Sequence, residues 1–195
     1  MSAKPIHNSL RPFFRAFSRT LCLHEGLCLL GMVLSSAWWL HAQDGQQKFA
    51  ELGQCKLESG QIIHDCRVGY RAFGYLNTAG DNAILMPTWL YGKSEDLKSL
   101  FGDGSSPQQL IDTGRYFGIA IDSLGNGVSS SPSNSAGQHG TAFPAFTLRD
   151  GVAAQYRVMT EVLHLKHLHA VVGLSMGGCR RGPVARTDRC FELSG

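Results

Sequence analysis

Three runs of mostly apolar residues limit the fold of this chain more than any other feature. They cover residues 83–86, 116–121 and 168–172, and runs of this length are typical of strands that are buried on both faces. Helical patterns and glycine-rich loops separate them. Because parallel strands must be joined by crossover segments, usually helices, we expect an α/β fold whose mostly parallel sheet has helices on both faces.

The segment before the third run carries the clearest helix signal. Thr147 and Asp150 match the capping box, in which each side chain accepts a hydrogen bond from a free backbone N–H at the start of a helix. Apolar residues then recur at helical spacing, at Val152, Tyr156, Met159 and Leu163. We expect a helix from Thr147 that packs on the sheet, and weaker patterns predict short helices at 94–101 and 107–112.

Residues 1–42 differ from the rest of the chain. Four basic residues and no acid occur in the first twenty positions, and residues 26–40 then form a stretch of fifteen residues without a charge. A basic region, a short apolar region and a small residue, here Ala42, are typical of a secretory signal peptide. We therefore expect a secreted or periplasmic protein. The alternatives are an uncleaved membrane anchor, which needs about 20 apolar residues, and a buried core helix.

The signal segment also accounts for the positive charge of the chain. The whole chain has 18 basic and 15 acidic residues, and residues 1–42 contain four of the former and one of the latter. The remainder has 14 of each, so the charge gives no indication of nucleic-acid binding. We expect no nucleic-acid partner and no stable membrane span after processing.

Cys55 and Cys66 lie on two short alternating segments that are joined by the turn residues 58–60. This pattern is typical of a β-hairpin, and an exported protein meets an oxidising compartment. We expect a disulfide that stabilises the fold by roughly 3 kcal/mol in the chain-entropy model; the alternative is two free, buried thiols. We predict no metal site, because there is no Cys-x-x-Cys pair, and no cofactor.

The third apolar run leads directly into GLSMG (173–177), an instance of the G-x-S-x-G motif. This motif holds a nucleophilic serine on a sharp turn between a strand and a helix, and its glycines let the backbones pass closely. The N–H of the next residue, Met176, then points at the developing oxyanion, and one such donor contributes about 3 kcal/mol of transition-state stabilisation. We predict that Ser175 is the nucleophile; the alternative is an ordinary strand-to-helix turn.

A second oxyanion donor is expected from the loop that follows the first apolar run. That loop reads PTWLYG (87–92), and the backbone N–H of Leu90 is the candidate by its position. The alternative is a plain connecting loop with Trp89 packed in the core.

Several stretches between residues 52 and 178 match, in the right order, the pattern of one enzyme family. They are LESG (57–60), VGYRAFGYLN (68–77), DNAIL (81–85), LGNGVSSSPS (124–133), FPAFTLRDGVAAQYRV (143–158) and VVGLSMGG (171–178). On these stretches the chain resembles the homoserine O-acetyltransferase-like branch of the α/β-hydrolase superfamily.

The resemblance implies an acyl-enzyme mechanism. A Ser-His-Asp triad with Ser175 as nucleophile takes an acyl group from a small-molecule donor, acetyl-CoA or an ester, and passes it to an acceptor. The resemblance also implies oxyanion N–H groups from Met176 and, by position, Leu90. Leu174 and the loop 122–127 differ from the homoserine enzymes, which are cytoplasmic, so an exported esterase, or an exported enzyme with an acyl acceptor other than homoserine, fits as well as or better than a homoserine enzyme.

The segment after Ser175 does not match the expected triad. The fold places the acid and the histidine after the serine in the sequence, yet all eight histidines precede it, and the tail has four arginines and a Gly-Pro pair where an apolar helix is expected. We therefore divide the chain into a signal peptide (1–42), the N-terminal part of an α/β-hydrolase domain (43–178) and an atypical, frame-shifted tail (179–195). We expect this chain to be inactive; the alternatives are a non-catalytic exported binding module and a fragment that does not fold.

Overall fold

The computed structural model describes residues 43–179 and 191–192. The predicted signal peptide and most of the predicted atypical tail lie outside the described residues. Within the described part, the strands are β1 (Gln43–Asp44), β2 (Lys48–Lys56), β3 (Ile62–Gly74), β4 (Ala83–Pro87), β5 (Phe101–Gly102), β6 (Ile111–Asp112), β7 (Phe117–Ile121), β8 (His167–Leu168), β9 (Ala170–Val171) and β10 (Phe191–Glu192). The helices there are α1 (Leu148–Arg157) and α2 (Met176–Cys179), with 3₁₀ helices at Ser94–Leu100 and Gly140–Ala142 and a π-helical turn at Val158–Val162 that continues α1.

The main sheet is mixed, with the strand order β1-β3-β7-β4-β9 and β2 paired to β3. β4 runs parallel to both β7 and β9, whereas β3 is antiparallel to β7, β1 and β2. The parallel strands are the three apolar runs of the sequence, and their carboxyl ends lie at one edge of the sheet. The arrangement confirms the α/β fold class.

The two central parallel strands, β4 and β7, are buried on both faces. All five residues of β4 and all five of β7 are buried. Alternate residues of β4 belong to different cores: Leu85 packs in the core that includes α1, while Ile84 and Met86 pack in the core that includes the 3₁₀ helix at 94–100. Because side chains along a strand alternate between faces, burial on both sides requires an unbroken apolar run.

The predicted start of α1 is confirmed, but its buried face differs from the predicted stripe. The Thr147 hydroxyl accepts a hydrogen bond from the Asp150 N–H (3.2 Å), and the Asp150 carboxylate accepts one from the Thr147 N–H (2.8 Å). The buried residues beyond this cap are Gly151, Ala154, Gln155, Val158 and Met159. Of the predicted stripe only Met159 is fully buried, and the other members are partly exposed. The buried face of α1 therefore includes two small residues, Gly151 and Ala154.

The predicted short helices and the third strand also differ in part from the structure. Residues 94–100 form a 3₁₀ helix, but the helix predicted at 107–112 is wrong. There the Leu110 N–H donates to the Leu100 carbonyl (2.8 Å) and the Thr113 N–H donates to the Gly102 carbonyl (2.7 Å). These long-range partners draw the segment into the short β5–β6 sheet instead of a helix. The run 168–172 is divided between β8, which pairs with β10, and β9.

β2 and β3 form the predicted hairpin, and α1 is attached to it. The structure contains a disulfide between Cys55 and Cys66, whose Cα atoms are 5.7 Å apart. The strand pairing shifts register on either side of Gly53. At this irregularity the Arg157 guanidinium donates to the carbonyls of Leu52 (2.9 Å) and Gln54 (2.8 Å). The last residue of α1 is therefore hydrogen-bonded to the backbone of β2 at this irregularity.

Candidate active site

Ser175 lies in a sharp turn at the carboxyl end of β9. The Val172 N–H donates to the Leu85 carbonyl (2.9 Å), which extends the pairing with β4 to residue 172. The chain then turns at Ser175, whose φ is 52°, and enters α2 at Met176. A non-glycine residue in this left-handed region stores about 1–3 kcal/mol of strain. Ser175 is exposed, so it is accessible at the carboxyl edge of the sheet.

Gly177 sets how closely this turn packs on the sheet. A Cβ atom at this position would lie 2.5 Å from the carbonyl oxygen of Pro87, the last residue of β4. That distance is far below van der Waals contact, so only glycine fits unless the turn moves. The Gly177 N–H also donates to the Leu174 carbonyl (2.9 Å) and closes the turn around Ser175. The last glycine of the motif therefore keeps the serine turn against the end of β4.

The loop 88–92, which holds the predicted second oxyanion donor, begins where β4 ends. Trp89 is partly buried against the core, whereas Leu90 and Tyr91 are 57% and 80% exposed. Tyr91 has a φ of 63°, and the Gly92 N–H donates to the Trp89 carbonyl (3.0 Å). The loop is thus a tight turn anchored by a tryptophan, with Leu90 on its exposed side at the edge where the serine turn lies.

A buried carboxyl group, that of Asp122, lies beside this loop and was not singled out by the sequence patterns. Asp122 follows β7 directly and is 0% exposed. Its oxygens accept hydrogen bonds from the N–H and hydroxyl of Ser94 (2.8 and 2.7 Å) and from the side-chain amides of Asn126 (2.9 Å) and Gln47 (3.3 Å). These four donors replace water around the carboxyl group. An acid placed directly after a buried strand could have indicated it, because the carboxyl ends of parallel strands border the binding sites of α/β proteins.

His169 and His64 lie in other parts of the structure. The His169 N–H donates to the carbonyl of Ala83, the first residue of β4 (2.7 Å), and its ring lies 4.9 Å from that of Tyr116. His169 is therefore at the amino end of β9, opposite to the end that carries the serine turn. His64 lines a surface cavity between the β2–β3 hairpin and residues 130–138. Within the described part of the chain, no group of three or more His, Cys, Asp or Glu residues is arranged to hold a metal ion.

The sequence is similar to those of esterases and homoserine O-acetyltransferases. It is 35% identical over 147 residues to a probable esterase of Corynebacterium glutamicum (74% of this chain, 41% of the relative). It is 33% identical over 144 residues to an ethyl acetate hydrolase of Pseudomonas veronii (73% and 40%). It is 35% identical over 146 residues to a homoserine O-acetyltransferase of Moorella thermoacetica (67% and 39%). The chain therefore spans about two fifths of the length of these relatives, and no family model matches it.

The fold is similar to that of solved enzymes of the same two kinds. The acetyl esterase MekB matches with a TM-score of 0.65 and 34% identity, over 70% of this chain and 39% of the esterase. A homoserine O-acetyltransferase from Staphylococcus aureus matches with a TM-score of 0.52 and 25% identity, over 70% and 41%. The structural similarity is thus greater to the esterase than to the transferase.

Proposed function

The chain belongs to the α/β-hydrolase superfamily, with esterases and homoserine O-acetyltransferases as its relatives, and we propose that it acts on small acyl esters with Ser175 as nucleophile. By its family it is an enzyme of ester hydrolysis or acyl transfer. The observation that carries the assignment of Ser175 is its φ of 52° in a turn between a parallel strand and a helix. Such a turn lifts a hydroxyl away from the sheet edge, where a carbonyl group can approach it.

In the proposed reaction, the Ser175 oxygen attacks the carbonyl carbon of the ester while its proton passes to a general base. The carbonyl oxygen becomes an oxyanion, which accepts hydrogen bonds from the N–H groups of Met176 and Leu90. Collapse of this intermediate breaks the ester bond, and the departing alkoxide takes the proton from the base to leave as the alcohol. Water then attacks the acyl-serine, which releases the carboxylic acid and restores the hydroxyl of Ser175.

The general base determines how fast this chain reacts. In the superfamily it is a histidine supported by an acid, and both follow the serine in the sequence. A serine hydroxyl without an adjacent base is a weak nucleophile, so the reaction at Ser175 depends on such a base.

Hydrolysis of an ester with apolar groups is better supported than transfer to homoserine. Leu90 and Leu174, on the loop and in the serine turn, are 57% and 44% exposed. Apolar side chains of this kind favour an alkyl or acyl group as the neighbour over a charged amino acid. The greater similarity to the esterase structure supports the same choice. Acyl transfer from acetyl-CoA or an ester to an alcohol is the second candidate, because transferases are also among the relatives.

Labelling with a fluorophosphonate tests the nucleophile. We expect the probe to modify the wild-type chain at Ser175, identified by peptide mass spectrometry, and to leave Ser175→Ala unmodified. Ser105→Ala is the matched control, because Ser105 is an exposed loop serine with no left-handed backbone. Release of p-nitrophenol from p-nitrophenyl acetate, with and without an added alcohol, then separates hydrolysis from transfer. A cooperative melt without labelling of Ser175 contradicts the proposal and supports a non-catalytic binding module.

We further propose that the protein is exported. The basic and apolar regions of residues 1–42 support a signal peptide, and the neighbouring cysteines of the hairpin suit an oxidising compartment. In the part of the chain that the structure describes, none of the helices is both long enough and apolar enough to cross a bilayer.

A further inference from the structure

We infer that Asp122 and Asn126 are positioning residues that hold the loop 88–92 in the conformation needed to bind an oxyanion. The inference rests on the proposed function, since it concerns the loop that carries the Leu90 N–H. Neither residue is assigned to the chemistry of the reaction. Both act through the backbone of the loop and of the residues that follow it.

Asp122 fixes the segment just after the loop. Its carboxyl group accepts both the backbone N–H and the hydroxyl of Ser94, at 2.8 and 2.7 Å. Ser94 is 0% exposed and begins the 3₁₀ helix that follows the loop. Because Asp122 itself directly follows the buried central strand β7, it ties the loop exit to the end of that strand.

Asn126 fixes the last residue of the loop. Its side-chain amide donates to the carbonyl of Gly92 (2.9 Å) and to Asp122 (2.9 Å), so it joins the loop to the same carboxyl group. Its side-chain oxygen accepts the N–H groups of Val128 (2.9 Å) and Ser129 (3.1 Å). With both ends of the amide engaged, the orientation of Asn126 is determined and its bond to Gly92 is held in place.

The entrance to the loop is fixed by the same segment. The hydroxyl groups of Thr88 and Ser123 are 2.9 Å apart, and the Ser123 N–H donates to the Thr88 hydroxyl (3.1 Å). The Thr88 N–H in turn donates to the Ile121 carbonyl (3.0 Å). Thr88 and Ser123 are both almost completely buried. Residues 121–126 therefore hold both ends of the loop and leave only its exposed centre without such ties.

This arrangement matters for an oxyanion donor because the donor must be in place before the charge develops. Tyr91 has a φ of 63° and is 80% exposed, so its neighbours, not its own packing, must maintain the turn. A donor that has to reorganise during the reaction stabilises the transition state less, and a displacement of about 1 Å costs about 100-fold in rate. Loss of the Asn126 contact is thus expected to loosen the loop and slow the reaction at Ser175.

The test compares Asn126→Ala with Asn134→Ala. Asn134 is the matched control, because its amide also donates to loop carbonyls, those of Gly127 and Ser129 (both 3.0 Å), and its oxygen accepts the Ser131 N–H (2.9 Å). None of these partners belongs to the loop 88–92. Asp122→Asn is a second variant, in which one acceptor oxygen becomes a donor that faces other donors. All variants are made in the full chain.

Two readouts are measured on each protein. Hydrogen–deuterium exchange of the peptide that covers residues 89–94 reports the loop, and the rate and saturation of fluorophosphonate labelling report Ser175. For Asn126→Ala we expect exchange at 89–94 to rise about fivefold or more, from the loss of a hydrogen bond. We also expect the maximal labelling rate to fall about tenfold or more, with an unchanged half-saturating concentration of probe. Asn134→Ala should change neither.

The outcomes separate this inference from the proposed function. The inference is overturned if hydrogen–deuterium exchange at 89–94 is the same in Asn126→Ala and Asp122→Asn as in the wild type. It is also overturned if exchange becomes faster while the labelling rate of Ser175 does not change. A wild-type chain that is not labelled at Ser175 overturns the proposed function, and the exchange data then decide by themselves whether Asn126 and Asp122 hold the loop. An equal fall in the labelling rate for Asn134→Ala and Asn126→Ala also overturns the inference, because the effect would then not be specific to the loop 88–92.

Discussion

At the scale of single residues, the candidate site contains two strained positions. Ser175 and Tyr91 have φ values of 52° and 63°, a conformation that non-glycine residues keep only where their surroundings enforce it. The turn that contains Ser175 packs through Gly177 on the carbonyl of Pro87, the residue just before the loop that contains Tyr91. The geometry of the site therefore depends on the absence of one side chain at position 177.

Gly177→Ala tests this contact. We expect the added methyl group to push the serine turn away from Pro87 and to lower the free energy of unfolding by about 1–3 kcal/mol, the usual result of overpacking. Labelling of Ser175 should slow in the same variant. Gly137→Ala is the control, because a Cβ there meets no atom within 4 Å. Denaturant unfolding measures the free energy of unfolding of both variants, and equal values would contradict the expected clash.

At the scale of elements, α1 is held to the β2–β3 hairpin through its first turn. The Asp150 carboxylate accepts the N–H of Glu58 in the hairpin turn (2.8 Å) as well as that of Thr147. Burial raises the pKa of Asp150, but the hydrogen bonds from Thr147 and Glu58 outweigh this effect and lower the pKa below its ordinary value of 3.8. The ionised carboxylate is thus favoured in the folded state, and one side chain caps the helix and attaches it to the hairpin.

Asp150→Asn should weaken the fold in a pH-dependent way. Because the pKa is lower in the folded state than in the unfolded chain, the stabilisation is fully present above the ordinary value of 3.8 and is lost as the pH falls through the folded value. We expect the variant to be less stable by about 1–2 kcal/mol at pH 7, with a difference that shrinks below about pH 4. Urea unfolding at several pH values measures it. Asp81→Asn, at an exposed position, is the control, and a gap that is constant with pH would contradict the role of the charge.

At the scale of the whole molecule, the stability of the fold depends on whether the disulfide of the β2–β3 hairpin forms, and therefore on whether the protein is in an oxidising compartment. The disulfide between Cys55 and Cys66 closes a loop with a sequence separation of 11 residues. Cys55 is 6% exposed and Cys66 is 0% exposed, so the disulfide lies in the core. Arg157 attaches α1 to the same strand. Oxidation of this pair is therefore expected to stabilise the helix-to-sheet packing together with the hairpin.

Expression with and without residues 1–42 tests export and the disulfide together. We expect the full chain to reach the exported fraction with Cys55 and Cys66 blocked to a thiol reagent, and the chain from residue 43 to stay in the cytoplasm with both thiols reactive after unfolding. The oxidised form should be more stable by roughly 3 kcal/mol in the chain-entropy model. Cys55→Ser with Cys66→Ser should remove this difference. Equal thiol reactivity in the two fractions would contradict the combined prediction.

The sequence alone determined the features that depend on near neighbours. The continuous runs that became β4 and β7 follow from the alternation of side chains along a strand, and the cap at Thr147 and Asp150 needs partners only three residues apart. The position of the serine turn was also predictable, because the bend lies within a motif of five residues. The nucleophilic role of Ser175 stays a prediction.

Only the tertiary structure decided the features that depend on distant partners. Residues 110–113 pair with 100–102 instead of forming a helix, and the buried face of α1 shares only Met159 with its apolar stripe. Asp122 receives a hydrogen bond from Gln47, 75 residues away in the sequence. A buried polar group is stable only where the fold supplies its hydrogen-bond partners. A local sequence pattern does not indicate which distant residues will supply them.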